Sequence, residues 1–213
     1  MRLDPKTART IANAKLKAQG EDIKAAICSL ANRSSFGLSQ KGNPLQRRME
    51  KDAKTAFGDS LIGVGWSSRT FHYFIFEIHK SDNDRPRQLA INGCSINTRS
   101  NAPKFRQIAL ITMHAMERLL ERRCDTELIQ LAREEFDMTF VNTMVFGETG
   151  TPLAPNDEFR VRTLHGSACG IVSELGVPIV RTWIHKPGGW PTAQFPLPAS
   201  ISSYGTKAYE PIQ

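Results

Sequence analysis

Residues 70–79 read Thr-Phe-His-Tyr-Phe-Ile-Phe-Glu-Ile-His. In an extended chain, successive side chains point to opposite faces. Phe71, Tyr73 and Ile75 then point one way, and Phe74, Phe76 and Ile78 the other. A strand apolar on both faces belongs in the middle of a sheet, with a layer on each side. Its neighbours agree: 61–66 and 87–96 read as strands, joined to it through Ser67-Ser68-Arg69 and the polar run Ser81 to Pro86.

The rest of the chain alternates between helix and strand signals. Asp4-Pro5 opens a helix, with a capping residue followed by Pro at the first helical position. A second helix is expected over 21–32, a loop over 33–48 and a short helix near 45–57. Residues 105–111 read as a strand or as the first turns of a helix. Helices follow over 113–123 and 126–136, then strands near 138–146, 158–165, 168–174 and 178–185. Turns fall at Gly166-Ser167 and Leu175-Gly176. The expected class is α+β: a mainly antiparallel sheet with helices packed on it. Three parts are expected: a basic helical segment at 1–58, an α+β core at 59–186, and an irregular Pro/Gly-rich tail at 187–213.

Net charge is +7, and residues 1–54 carry all of it, with 12 Lys/Arg against 5 Asp/Glu. A basic arm on a neutral body fits a polyanionic partner, nucleic acid above all, and equally a solvated helical face. Cys28, Cys94, Cys124 and Cys169 form no Cys-x-x-Cys pair, so reduced thiols are expected rather than a zinc ribbon. No metal or cofactor is implied: Asp82-Asn83-Asp84 reads as a turn, and residues 147–151 lack the Gly-Lys-Ser/Thr of a P-loop. No run reaches the ~20 apolar residues of a membrane helix, and Met1 to Pro5 lead into no apolar block. The expected location is cytoplasmic.

The densest chemistry lies in Ile111-Thr112-Met113-His114-Ala115-Met116-Glu117-Arg118-Leu119-Leu120-Glu121-Arg122. On a helix, His114, Arg118 and Arg122 share one stripe, flanked by Glu117 and Glu121, while Met113, Met116 and Leu120 face the core. Thr112 is a credible cap, which puts His114 in the first turn. Imidazole, carboxylate and guanidinium together suit cleavage of a phosphodiester by an internal 2′-hydroxyl. The same residues also read as an exposed helix with i,i+4 ion pairs. A general acid opposite His114 is sought in His165 or His185, which end their strands. Arg160 and Arg162 share a strand face, and Arg181 and Trp183 are placed on the face of His185. Trp183 and Trp190 offer base stacking or core packing. Arg47, Arg48, Arg160, Arg162, Arg181 and Lys186 are the candidate phosphate contacts.

This segment resembles the Thr-x-His-Ala-x-x-Arg-x-x-x-Arg helix of BrnT-type, RelE-like ribonuclease toxins. The resemblance spans about 105–186, and in that pattern an antiparallel sheet follows the helix. It implies a metal-independent endoribonuclease of toxin or phage-defence type. His114, Glu117, Arg118 and Arg122 would act with His165 or His185, and an antitoxin or other protein would be held by the basic segment or the tail. The alternative expectation is a non-catalytic nucleic-acid-binding or assembly protein of a phage or mobile element, with RNA the favoured ligand and oligomerisation open.

Overall fold

The computed structural model describes residues 4, 6–12, 43–67, 70–79, 88–97, 103–123, 127–147 and 151–186. Seven strands form one sheet: β1 (Leu61–Ser67), β2 (Thr70–His79), β3 (Gln88–Asn97), β4 (Pro103–Ile111), β5 (Glu158–Arg162), β6 (Gly166–Val172) and β7 (Pro178–His185). Their spatial order is β1-β2-β3-β4-β7-β6-β5. Every neighbouring pair is antiparallel except β4 and β7, which run parallel. Two antiparallel meanders therefore meet at one parallel seam. A parallel pair needs a long crossover. Here it holds three helices, α3 (Met113–Arg123), α4 (Leu128–Glu135) and α5 (Met138–Phe146), before β5 and β6. The architecture is α+β on a mainly antiparallel sheet, and 103–111 is a strand.

β2 is covered on both faces, as its composition requires. Phe74, Phe76 and Ile78 enter the main core with Met116, Leu119, Leu120, Phe136 and Phe140 of the crossover. Phe71, Tyr73 and Ile75 form a second core with Cys94 and Ile96, and helix α2 (Asn43–Phe57) closes it with Ala53 and Phe57. The Phe57 and Tyr73 rings stack at 5.1 Å. Burying each such side chain stabilises by about 1.5–3 kcal/mol. Helical residues 6–12, here α1, press Ala8 and Ala12 into the main core. Asp4 caps them, accepting from the backbone N–H of Lys6 and Thr7 at 3.0 and 3.1 Å. The expected helix at 21–32, Cys28, Cys124, Trp190 and the tail from 187 lie outside the described residues, and so does the expected loop 33–48 up to residue 42; its residues 43–48 are instead the first turns of α2. Among the described residues, no helix is long and apolar enough to cross a membrane.

Three local expectations are corrected. Residues 138–146 are helix α5, not a strand. Asp137 caps them, accepting from Thr139 and Phe140 N–H at 2.9 and 3.1 Å, and Gly147 stops them at φ +72°. Gly166 and Ser167 lie inside β6 rather than in a turn. The turn is 163–165, closed by Thr163 N–H donating to the Gly166 carbonyl at 3.0 Å. Finally, Cys169 faces Thr182 while Gly170 faces Val180, so Arg181 is an extra residue in β7. That bulge lets Val180 and Trp183 both face the core. Arg181 is turned to solvent and does not share the face of Trp183 and His185.

Candidate functional site

The site is built around a carboxylate on an apolar helix face. Along α4, Leu128, Leu131 and Ala132 are buried at i, i+3 and i+4, and Glu135 at i+7 continues the stripe at 1% exposure. A carboxylate buried there needs donors. Glu135 Oε2 accepts from the Thr163 hydroxyl at 2.6 Å and from His165 N–H at 3.0 Å. Glu135 Oε1 lies 2.7 Å from His165 Nδ1 and 3.9 Å from Arg123 Nη1. Arg123 Nη2 also reaches Glu134 at 3.1 Å. Thr163 Oγ1 in turn accepts from the indole N–H of Trp183, at 3.0 Å. One side chain thus ties α4, the last turn of α3, the β5–β6 turn and β7 together.

Glu135 also sets the chemistry of His165. A carboxylate only accepts, so the imidazole hydrogen facing it sits on Nδ1, and Nε2 is left to face outward. The His165 side chain is 34% exposed. His185 is its neighbour: it lies opposite Gly166 in register, and Lys186 N–H donates to the His165 carbonyl at 3.0 Å. The His185 ring tilts against Trp183 at 5.6 Å, and among the described residues its buried Nδ1 has no hydrogen-bond partner. Burial pushes the His185 pKa down. The guanidinium groups of Arg123 and Arg122 and the neighbouring His165 ring add to this, and Glu135 opposes it. His185 is therefore neutral near pH 7. The guanidinium groups come from the C-terminal turn of α3, where the helix dipole favours cations.

α3 is aimed at this place by its start. Thr112 N–H donates to the Val180 carbonyl and Thr112 Oγ1 to that of Arg181, at 3.0 and 3.1 Å. Thr112 Oγ1 also accepts from Ala115 N–H at 3.3 Å, the expected cap. The helix then packs along β7, and its end arrives beside His185.

The structure brings together Arg122, His165 and His185 of the expected residues, with Lys186 at the border. It places His114, Glu117 and Arg118 elsewhere. Eight residues of helix rise about 12 Å from His114 to Arg122, so His114 stands at the far end of α3 from His185. His114 is 55% exposed, with Nδ1 at 3.9 Å from Glu117 Oε2. Glu117 Oε1 takes Arg9 Nε at 2.6 Å, and Arg118 pairs with Glu121 at 2.8 Å. This stretch is an ion-paired flank. Arg160 and Arg162 are exposed on the sheet face away from the main core, and Arg181 at its bulge. Arg47 and Arg48 are exposed on α2, Arg48 at 3.9 Å from Asp52. Trp183 is 2% exposed and packs in the core, so it offers no stacking face.

Glu135, Arg123 and Thr163 were not among the expected site residues. A signal for Glu135 was present: an acidic residue in register with the apolar stripe of its helix. Among the described residues, no three His, Cys, Asp or Glu side chains gather as a metal site. The arrangement offers an oriented imidazole, a neutral one beside it and a cationic border, which suits proton transfer at an anionic centre. No family model matches the chain, and neither a curated protein nor a solved structure matches it.

Proposed function

We propose that the protein is a metal-independent ribonuclease whose acid–base pair is His165 and His185. The observation that carries this reading is the buried Glu135 carboxylate, 2.7 Å from Nδ1 of a partly exposed His165, with a neutral His185 alongside. With Nδ1 of His185 buried, Nε2 is the nitrogen that meets substrate, and it takes the proton of a ribose 2′-hydroxyl. The 2′-oxygen attacks phosphorus, and the bond from phosphorus to the 5′-oxygen breaks. Protonated His165 delivers its Nε2 proton to that leaving oxygen. The products are a 2′,3′-cyclic phosphate and a 5′-hydroxyl. Glu135 holds His165 through Nδ1 whether the ring is neutral or protonated, so Nε2 is the position that exchanges the proton. Arg122 and Arg123 balance the charge that builds on the phosphorane. The resemblance of 111–122 to the helix of BrnT-type toxins points to the same chemistry, and Arg122 is the member of that motif that reaches the cluster.

The test is RNA cleavage in EDTA by the wild type, His165→Ala and His185→Ala, with folding checked by circular dichroism. Each substitution should lower the rate by about 10²–10⁴-fold with the fold intact. A pure wild type that leaves RNA uncut contradicts the reading.

A further inference from the structure

We infer that the substrate is single-stranded RNA, bent over the rim of the sheet at the β5–β6 turn and held beyond the site by Arg162 and Arg160. The inference rests on the ribonuclease reading for the position of the scissile phosphate. It rests on the sheet geometry for the rest.

His165 and His185 belong to the core face. Along β5, Phe159 and Val161 are buried on that face, while Glu158, Arg160 and Arg162 are exposed on the other. On that outer face, Arg162 lies in a row with Ser167 and Ile184, and Arg160 with Cys169 and Thr182. The helices of the crossover pack on the core face, and α2 covers the outer face over β1–β3. Only Thr163 and Leu164 separate Arg162 from His165. The two arginines alternate along one edge strand, so their Cα atoms are about 6.7 Å apart. They run directly away from the site, and Glu158 ends the positive track. Leu164 stands 59% exposed at the tip of the turn, an apolar surface for an unstacked base.

A strand that passes from His165 to Arg162 must turn around the edge of the sheet, from one face to the other. A duplex with a persistence length of about 500 Å cannot follow that path, and a single strand can. In-line attack by a 2′-hydroxyl also needs a sugar–phosphate turned out of helical geometry, which a single strand reaches without unpairing. The contacts are to phosphates, so recognition is tolerant of sequence.

The experiment is fluorescence anisotropy with a short 2′-O-methyl single-stranded oligonucleotide, which binds but lacks the attacking hydroxyl. It is run across salt concentrations and beside the matching duplex. A single strand gives a slope of about −0.7 in log K against log[salt] per phosphate contact. Arg160→Ala/Arg162→Ala should flatten the slope by about 1.4 and, at 0.1 M salt, weaken binding about 25-fold. Arg133→Ala, which removes an exposed guanidinium on α4, should change neither. The duplex should bind more weakly and ignore the double substitution. A double variant that binds like Arg133→Ala overturns the inference, and so does a duplex that depends equally on the two arginines. A wild type that binds the single strand through Arg160 and Arg162 yet leaves unmodified RNA uncut sinks the ribonuclease reading and leaves the track standing.

Discussion

Glu135→Gln separates the role of the carboxylate from the packing around it. The side chains are nearly isosteric, so α4 keeps its buried face. The hydrogen bonds do not survive unchanged. Three donors converge on Glu135: the Thr163 hydroxyl, the His165 amide and the His165 ring. A glutamine has one acceptor oxygen. Placed at the Oε2 position it still serves Thr163 and the His165 amide, and its NH2 then faces Nδ1 of His165. That group donates, so the imidazole hydrogen moves from Nδ1 to Nε2. The ring stays in place with the wrong tautomer, and no carboxylate remains to balance the imidazolium. Replacing an orienting carboxylate by its amide in a His-based site costs about 10⁴-fold in rate. The stability cost is smaller. One hydrogen bond to a charged acceptor is worth about 1.5–3 kcal/mol and the neutral bond that replaces it about 0.5–1.5 kcal/mol, so a net loss of about 1 kcal/mol is expected. Glu135→Ala strands all three donors and opens a cavity, and should cost about 3–5 kcal/mol. Urea unfolding gives the stabilities, and ¹⁵N shifts of His165 report the tautomer. A folded Glu135→Gln protein with wild-type cleavage, or with the hydrogen still on Nδ1, rules out this role for the Glu135 carboxylate.

Three further outcomes follow from packing and titration. A Cβ at Gly170 would lie 2.0 Å from the Ile179 carbonyl oxygen, whereas at Gly63 it would meet the flexible Met138 side chain at 2.4 Å. Gly170→Ala should therefore destabilise by about 3 kcal/mol and Gly63→Ala by about 1 kcal/mol, as read by urea unfolding. Burial lowers the pKa of His72, so the unfolded chain binds the proton more readily. Stability is then unaffected above about pH 6.5 and falls as the pH drops below it, by up to about 1.4 kcal/mol per pH unit. His72→Gln should flatten that fall below about pH 6.5. Burial pushes the Cys94 thiol up to about 11, and raises that of the half-buried Cys169 less. Peptide-resolved alkylation of the native protein at pH 8 should therefore leave Cys94 unmodified and label Cys169 slowly.

Much of the fold was legible because its strands carry strong two-residue periodicity. Phe71 to Ile78 announced a strand with a layer on each face, and the alternation of Phe159 and Val161 with Arg160 and Arg162 matches their burial. α5 was misread because Thr139, Val141, Thr143 and Val145 favour strands locally. The buried set Phe140, Val141, Met144 and Val145 has helical spacing, and Asp137 and Gly147 bracket it, so tertiary packing and caps outweighed propensity. The bulge at Arg181 has no local signature, and it moved that residue off the face that strict alternation assigns. For the site, the ends of β5 and β7 pointed to His165 and His185, and helical spacing brought in Arg122. Glu135 was hidden because its partners lie 28 and 30 residues away, and only the closed sheet brings them to it.

In the proposed reaction His185 and His165 act as base and acid on one phosphodiester. The pH profile of kcat/KM for cleavage of a single-stranded RNA in EDTA distinguishes the two roles. A base must be deprotonated to work, and the pKa of His185 is pushed below its ordinary value near 6.5. The rate should climb through an acid limb centred below 6.5. His185→Ala should abolish that limb with the fold retained, and His165→Ala should lower kcat/KM with the fold retained. An acid limb that persists unchanged in His185→Ala, or a His165→Ala protein with wild-type kcat/KM, would contradict this assignment.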